Sequence, residues 1–568
     1  MKNVTAKLLI LVVCFTSAIA VIADEGPSMI LHSGKILTVD NYFSVQEAVA
    51  IRGDRIVAVG TNASIGELAT KNTRIIDLDG KTVIPGLIDN HNHVIRATEY
   101  WLNEARLDGV GSRAEAIERL RKKSSELPPG DWLMTLGGWT ESQFSDSNAD
   151  LSLKELDDIA PDRPAFIQST YDHAFVNTAW FKAMGIPIVA AGDESSSTAE
   201  SIATAAVRDR NGKVTGRLNG GMPMILKAIK RFPKVAEARQ NDGIRAQLAE
   251  LNSLGITAVF DPAGGGLKQE SYQRIRDYNS DAGLTVRIFH TLGLGVVPTT
   301  REEADYLIGK IRNARPFQGD SMLDMFSIGE SYYAPFHRDG RLRVVKADAD
   351  AIEAGRDILT AAAQGNWSVQ THIIQPETIE TFLDVVTEVN EAHPVRPLRW
   401  QITHADLITR EQIDRMRQLG MALQIRSYSV LDTEESVEMR EKLGATALKA
   451  PSLRMIQDSG IRWGLGTDGT KAAQINPFVT LWWAVTGREL GGRQIIDETL
   501  SREEALIAHT RSNAYLVFQE ANLGSIQPGF LADFVVLDRD YMTIPLEEIR
   551  DLSPVATIVG GETVYGEL

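Results

Sequence analysis

The residues of this sequence best suited to chemistry are histidines and a carboxylate that follow apolar stretches. The stretch VIPGLIDNHNHV carries His91 and His93 two positions apart. Because residues i and i+2 of a β-strand point to the same side, both imidazoles could bind one cation from a strand end. Further along, SVQTHIIQ, RWQITHAD and IRWGLGTDGT carry His372, His404 and Asp468 at the ends of apolar runs. Five such groups at predicted strand ends indicate a catalytic metal site.

The elements that must position these groups alternate along most of the chain. Between about residues 85 and 522, apolar strands alternate with amphipathic helices, which is typical of a parallel sheet or barrel. Several strands end in a polar residue, where a (β/α)₈ barrel places its chemistry. The predicted strands are 165–169, 257–260, 286–290, 325–328, 368–372, 399–404, 422–425 and 462–466. The predicted helices are 113–127, 237–254, 349–364, 379–392, 410–419 and 502–509.

Three departures from this rhythm divide the chain further. The region 98–233 is too long for one βα unit, so we expect an insertion there, with a mobile loop in its Ala- and Ser-rich part at 190–206. Short alternating strands with tight turns occupy both ends of the chain. We therefore predict a small β-sandwich domain formed from both termini, residues 24–85 and 523–568, with the barrel at 86–522.

The first 23 residues have the pattern of a secretory signal. Two lysines precede an apolar run at 8–13, and small residues allow cleavage after Ala20 or Ala23. The run is too short for a membrane span. Cys14, the only cysteine, lies within this segment and does not follow the small residue that a lipidated cysteine requires. We expect a periplasmic or secreted protein without disulfides.

Composition excludes some classes of partner. The chain has 59 Lys and Arg against 75 Asp and Glu, a net charge of −16. Such a charge argues against nucleic acid or an anionic membrane as the main partner. Hydrophobic residues at 43% and charged residues at 24% are ordinary for a soluble globular protein. We expect a small molecule as the partner.

Longer motifs connect these features. The segments PGLIDNHNH, GGWTESQF, THIIQPETIE, GLGTDGTKAAQINPF and LGSIQPGFLADFVVLD span nearly the whole chain after the signal. With these motifs the chain resembles the amidohydrolase superfamily, and within it amidohydrolase family 3, which includes N-substituted formamide deformylases and YtcJ-type hydrolases. The resemblance implies a metal-dependent hydrolase on a distorted (β/α)₈ barrel. It also leaves room for a homodimer, because barrels of this superfamily often pair.

The resemblance also implies roles for the five groups. His91 and His93 would bind the more buried metal, and His372 and His404 a second metal or the substrate. Asp468 would bind metal and accept a proton from the attacking water, with His404 as a further catalytic group. A divalent ion lowers the pKa of its bound water from about 15.7 to about 7. Ligands without thiolate suit Zn²⁺, with Mn²⁺ or Fe²⁺ as alternatives.

The sequence departs from the family at several places. Relatives often carry a metal-bridging lysine on the fourth strand, but LDMFSIGESYYAP has none. Glu330 there either bridges two metals or is a polar residue of the rim; without a bridge the site would hold one metal. Gln375-Pro376 and the seventh-strand segment LQIRSYSV also differ, which predicts an unusual substrate. The turn of Thr467, Asp468 and Gly469, where a serine often precedes the aspartate, is a mild change.

Other residues match positions near the substrate. His173 would hold a carbonyl oxygen or orient the substrate, or else serve as a cap for the helix that follows it. Trp139, Tyr171 and Arg426 either line the pocket or pack in the core.

Together these features predict an exported metal-dependent amidohydrolase that cleaves a non-peptide carbon–nitrogen bond of a small, amide-type molecule. Two alternatives stay open. The same site could catalyse C–O hydrolysis, hydration or isomerisation, or the barrel could belong to a non-enzymatic binding or regulatory protein.

Overall fold

The computed structural model describes residues 26–188, 202–263 and 267–568. The predicted signal, residues 1–23, and residues 190–201 of the predicted mobile loop lie outside the described residues. Within the described ranges, no helix has the length and hydropathy needed to cross a membrane.

Eight parallel strands form the central sheet, and each pairs with its neighbours in chain order. The sheet is a nearly closed barrel, so the predicted (β/α)₈ fold is confirmed. We number these barrel strands 1 to 8. Their bounds are Leu87–Asp89, Ile256–Asp261, Arg287–Leu292, Leu323–Ile328, Ser368–Ile373, Gln401–His404, Ala422–Arg426 and Arg462–Gly466.

The seam between barrel strands 1 and 8 is joined by a side chain. The amide nitrogen of Asn513 donates hydrogen bonds to the carbonyls of Ile88 and Leu465, both at 2.6 Å. The Asn513 oxygen accepts from the side chain of Asn90 at 2.7 Å. A Cβ at Gly464 would lie 1.9 Å from that oxygen, so the seam requires glycine there. One buried amide therefore links the two strands that carry ligands at their ends.

The apolar stretch VIPGLID that precedes His91 and His93 forms parts of two separate strands. Thr82–Pro85 belongs to the terminal β domain, and Leu87–Asp89 to the barrel. The break lies at Gly86, whose amide donates to the carbonyl of Asp533 at 2.9 Å. A Cβ at Gly86 would lie 2.1 Å from the Thr257 hydroxyl, so the chain can change sheets here only with glycine.

Amphipathic helices cover the barrel, and three of the predicted helices have the bounds expected from sequence: Ala349–Gln364, Arg410–Leu419 and Arg502–His509. All three begin at a side-chain cap, which satisfies backbone amides that the helix leaves free. The remaining helices of the barrel region include Glu237–Ser253, Gln269–Ala282, Arg301–Asn313, Pro376–Ala392, Glu434–Leu443, Leu453–Ser459, Pro477–Thr486 and Arg511–Leu516.

Segments from both ends of the chain form two facing sheets. The four-stranded sheet contains Arg55–Gly60, Ala48–Arg52, Met29–His32 and Arg74–Asp77 in that order. The six-stranded sheet contains Glu562–Gly566, Pro554–Val559, Phe534–Leu537, Thr82–Pro85, Lys35–Leu37 and Val45–Gln46. Apolar side chains from both sheets share one core, so neither terminal segment could bury its apolar face without the other.

The chain segment that connects barrel strand 1 to barrel strand 2 forms an additional sheet. Its order is Ala206–Arg208, Val214–Leu218, His173–Val176, Ala165–Ser169 and Leu133–Leu136. The predicted strand 165–169 therefore belongs to this inserted sheet and not to the barrel. The helices Arg113–Glu126, Leu153–Ile159, Thr178–Met184 and Gly221–Ile229 accompany it.

Candidate metal centre

His91 and His93 lie in the short segment between barrel strand 1 and the helix Val94–Ala97. The amide of His93 donates to the carbonyl of Gly469 at 2.7 Å, and the amide of Asp468 donates to the carbonyl of His91 at 2.9 Å. The amide of Asn92 donates to Phe260 at 2.9 Å. Backbone hydrogen bonds to the ends of barrel strands 8 and 2 thus position both histidines. The sequence had suggested instead that the alternation of side chains along a strand would do so.

Asp89 holds this segment through hydrogen bonds, a role that sequence reasoning missed. Its carboxylate accepts hydrogen bonds from the amides of His91 at 3.1 Å and Thr467 at 3.0 Å. It also accepts from the Thr467 hydroxyl at 2.6 Å and the Asn92 side chain at 3.0 Å. Asp89 is fully buried and precedes the histidine pair by two residues, which is the signal that could have identified it.

The predicted ligands converge on one place. Asp468 Oδ1 lies 3.5 Å from His91 Nε2 and 3.4 Å from His93 Nε2. His404 and His372 complete the group, and all are buried or nearly so. We call His91, His93, Glu330, His372, His404 and Asp468 the metal cluster.

Glu330, left open from sequence as bridge or rim residue, lies inside this cluster. Its Oε2 is 3.4 Å from both His372 Nδ1 and His404 Nε2, and 3.6 Å from His91 Nε2. Its Oε1 is 3.5 Å from His93 Nε2. Glu330 therefore contacts all four histidines with one carboxylate.

The donor set fits a divalent metal. Two groups, His91, His93 and Asp468, and His91, Glu330 and His404, each present ligand atoms within 4.8 Å of one another. The Nε2 atoms of His91 and His404 are buried without a hydrogen-bond partner among the described residues. His91 Nδ1 lies 3.0 Å from the Thr403 hydroxyl, and donating its proton there leaves the Nε2 lone pair directed at the cluster. Such unpaired lone pairs are those that a metal ligand needs.

Burial and neighbouring charges set the protonation of the cluster. Burial lowers the pKa of His93 to about 4 and also lowers the pKa values of His372 and His404. Burial acts to raise the pKa of Glu330, but its contacts with His372 and His404 hold it well below its usual range. Neutral imidazoles and an ionised carboxylate are the forms that bind a cation.

Two residues of the metal cluster have an unusual backbone conformation. His404 has φ +76° and Asp468 has φ +64°. Residues other than glycine rarely adopt this left-handed region, and the strain tends to concentrate at functional sites. The conformation turns both side chains toward the cluster at the ends of barrel strands 6 and 8.

Arg426, at the end of barrel strand 7, reaches the cluster directly. Its Nη1 lies 3.1 Å from Asp468 Oδ2, and its guanidinium carbon lies 4.3 Å from the centre of the Tyr428 ring. Burial acts to raise the pKa of Asp468, but His91, a hydrogen bond with His93 and the charge of Arg426 hold it well below its usual range. The altered seventh strand therefore changes the surroundings of a predicted catalytic carboxylate.

His173 lies apart from the cluster. Its Nε2 is 2.8 Å from Glu141 Oε1, and its Nδ1 is 3.7 Å from Glu434 Oε1. Within the described chain, none of its hydrogen bonds or ion pairs reaches a cluster residue. The cap of the helix Thr178–Met184 is Asn177, which accepts from the amide of Trp180 at 2.9 Å. The alternative that His173 caps this helix is therefore wrong, and its role toward substrate stays a prediction.

Trp139 and Tyr171 were predicted either to line the pocket or to pack in the core. Trp139 is fully buried, donates to the carbonyl of Gln168 at 2.7 Å and stacks on Phe144, so it packs in the inserted region. Tyr171 is only partly buried. Burial raises its pKa, and Asp468 and Glu330 are among the charges that act on it, so it lies beside the cluster.

Comparison with known proteins gives a consistent result. Residues 74–565 match the family model described as amidohydrolase family. The chain is 25% identical to the N-substituted formamide deformylase of Arthrobacter pascens, over 94% of this chain and 98% of that protein. It is 25% identical to the putative amidohydrolase YtcJ of Bacillus subtilis, over 94% and 99% of the two chains.

Solved structures share the fold. An uncharacterized metal-dependent hydrolase from Pyrococcus horikoshii superposes with a TM-score of 0.62 at 20% identity, covering 91% of this chain and 99% of that chain. Atrazine chlorohydrolase from Arthrobacter aurescens, complexed with zinc, gives 0.53 at 16% identity and covers 95% of both chains.

Proposed function

The chain belongs to amidohydrolase family 3 and is a metal-dependent hydrolase acting on carbon–nitrogen bonds, and on this premise we propose that it hydrolyses a non-peptide, amide-type bond of a small molecule at the metal cluster. The observation that carries the proposal is the convergence of Asp468 and Glu330 on His91 and His93 at 3.4–3.6 Å. The relative named as an N-substituted formamide deformylase supports an amide or formamide as the bond cleaved.

We propose a divalent ion, most simply Zn²⁺, held by the metal cluster, with Mn²⁺ or Fe²⁺ as alternatives. When bound, such an ion acidifies water and polarises a carbonyl group. Glu330 Oε1 faces His93, and Oε2 faces His91, His372 and His404. A carboxylate whose two oxygens both face imidazoles could help to hold two ions, and Glu330 would be the residue shared between them if two are bound.

Asp468 is the proposed proton carrier. Its Oδ1 faces the histidines, its Oδ2 faces Arg426, and its low pKa keeps it ionised near neutral pH. An ionised carboxylate beside the attacking water can accept its proton and then deliver that proton to the leaving nitrogen. His404, fixed beside Glu330, orients the reacting group, and we propose that His173 contacts more distant parts of the substrate.

Export is proposed from residues 1–23 alone, and N-terminal sequencing of the protein isolated from its source would test it. Periplasmic or secreted protein should begin after Ala20 or Ala23. We propose a homodimer from the resemblance to the superfamily. Analytical ultracentrifugation of the purified protein would measure its molar mass in solution.

The function is tested by replacing Asp468 with Asn. We expect Asp468→Asn to reduce amide hydrolysis by about 10²–10⁴-fold, the usual contribution of general acid–base catalysis. The partly exposed Asp414→Asn makes the same chemical change elsewhere and should leave the rate unchanged. Rates are measured on formamides, N-acyl amines, lactones and carbamates, with metal content and circular dichroism recorded for each protein. Full activity of a folded Asp468→Asn, or lactones hydrolysed in preference to amides, would contradict the proposal.

A further inference from the structure

Arg426 is a buried cation whose charge is only partly compensated. Its side chain is 6% exposed, and it makes no hydrogen bond to the residues that the structure describes. Its charge partner is Asp468, whose Oδ2 lies 3.1 Å from Nη1. Asp468 also faces His91 and His93 through Oδ1, so this carboxylate is shared with the metal cluster. Arg426 therefore keeps donors that no group in the described part of the chain uses.

The other carboxylates near Arg426 are already engaged. Asp406 Oδ2 accepts from Arg341 Nε at 2.9 Å, and Arg341 stacks on the same Tyr428 ring at 4.9 Å. Glu435 Oε1 accepts from the Arg341 amide at 3.1 Å. Both arginines contact the Tyr428 ring, but only Arg341 has a carboxylate, Asp406, that is not shared with the metal cluster. Leaving donors of a buried guanidinium unpaired costs free energy, which an external ligand would offset.

The unused donors have a defined geometry. Arg426 Nη1 is directed at Asp468, and Nε is buried without a partner within the described chain. Nε and Nη2 lie on the same edge of a guanidinium, where they match the two oxygens of a carboxylate. The protein itself shows this side-on arrangement at Arg287, whose Nε and Nη2 each lie 2.8 Å from an oxygen of Asp533. The free edge of Arg426 is therefore suited to one carboxylate.

The surroundings of the cluster favour an anion as well. Arg96 lies on the short helix Val94–Ala97 directly after His93, and its Nε also lacks a hydrogen-bond partner among the described residues. The positive charges of Arg96 and Arg338 both act on Tyr171 beside the cluster. Cations concentrated at one site of a protein with net charge −16 would attract an anionic substrate.

We propose that Arg426 binds a carboxylate of the substrate, so that the substrate class is N-acylated or N-formylated amino acids. This inference rests on the proposed function, because it assigns the substrate of the same site. Arg426 is then a specificity-determining residue, and Tyr428 holds its guanidinium plane by stacking. A neutral amide would leave the free edge of Arg426 buried and unpaired, which disfavours such compounds.

The test compares acids with matched neutral compounds. N-formyl and N-acetyl amino acids are each paired with their C-terminal N-methylamides, and kcat and KM are measured for both. We expect the unaltered enzyme to favour the acids by about 30-fold or more, and Arg426→Gln to lose this preference mainly through KM. Arg426→Lys should retain part of it. Arg338→Gln, which removes a neighbouring positive charge, should keep most of the preference.

Binding separates the two proposals. Calorimetric titration of each acid and its N-methylamide into the unaltered enzyme and Arg426→Gln measures carboxylate recognition without turnover. If no compound is hydrolysed but the acids bind in an Arg426-dependent manner, the proposed function fails and the anion site stands. If the N-methylamides are hydrolysed and bound as well as the acids, or Arg426→Gln keeps the preference, the inference is wrong. If Arg338→Gln lost as much of the preference for acids as Arg426→Gln does, the preference would come from the overall positive charge of the site and not from a specific contact with Arg426.

Discussion

The two oxygens of Glu330 face all four histidines of the metal cluster. The residue follows barrel strand 4 by two positions, and its backbone carbonyl accepts from the amide of His372 at 3.0 Å. That hydrogen bond fixes the carboxylate relative to the end of barrel strand 5. At the scale of single residues, the cluster therefore depends on backbone contacts as much as on ligand types.

Replacing Glu330 with Gln should weaken metal binding. The amide keeps the size of the side chain but loses the negative charge that the imidazoles surround, so we expect metal affinity to fall by at least about 10- to 100-fold. Elemental analysis after dialysis against graded chelator measures this. The exposed Glu302→Gln is the matched control. Unchanged metal stoichiometry and rate in Glu330→Gln would rule out the bridging role.

At the scale of elements, helix ends hold the inserted region together. In the helix Leu153–Ile159, Ser152 and Glu155 form a capping box, with the Ser152 amide 2.9 Å from Glu155 Oε2. Arg113, at the start of the helix Arg113–Glu126, donates to the same oxygen at 2.8 Å. One carboxylate thus joins two helix N-termini of the insertion, where negative charge is favourable.

This contact should make stability depend on pH. The hydrogen bond from Arg113, followed by those from Ser152, lowers the pKa of Glu155 from 4.5 to about 2. A lowered pKa means that the stabilisation is complete above about pH 4.5 and is lost as the pH falls toward about 2. We expect Glu155→Gln to lower the melting temperature at pH 7, and the difference from the unaltered protein to shrink below about pH 4.5.

The exposed Glu118→Gln, on the same helix as Arg113, is the control and should show no such pH dependence. Melting curves between pH 3.5 and 8 supply the comparison. A difference that grew as the pH fell would contradict the assignment.

At the scale of the whole molecule, a buried ion pair joins the barrel to the segment that leads into Phe534–Leu537 of the six-stranded sheet. Arg287 of barrel strand 3 binds both oxygens of Asp533 at 2.8 Å, and the two side chains are 2% and 3% exposed. The Gly560 amide donates to Asp533 at 2.8 Å, and the Asp533 carbonyl accepts from Gly86, where the chain enters the barrel. Barrel and β domain are thus connected through one desolvated carboxylate.

Removing the arginine should destabilise the protein strongly. Arg287→Met leaves Asp533 buried without its counterion, and we expect a loss of about 3–5 kcal/mol in the free energy of unfolding. The double variant Arg287→Met with Asp533→Asn removes the stranded charge and should recover part of that loss. Urea unfolding at 25 °C measures both. Equal stabilities of the single variant and the unaltered protein would show that the pair does not couple the domains.

Much of the fold and of the site could be predicted from sequence, because the relevant signals are local. Strand and helix periods repeat within ten to twenty residues, so the barrel and the bounds of several helices follow from them. His91, His93, His372, His404 and Asp468 could be selected because the ends of parallel strands meet at one rim, wherever those strands lie in the chain.

Tertiary structure alone decided the contacts between residues far apart in the chain. No local pattern places Glu330 among four histidines, or Arg426 on Asp468, because each contact depends on how neighbouring barrel strands are staggered. The anchoring of the histidine pair by Asp89 and Thr467 likewise joins residues 378 positions apart. Periodicity determines which face of an element is buried, whereas the distances between side chains on different elements are set only when the elements pack together.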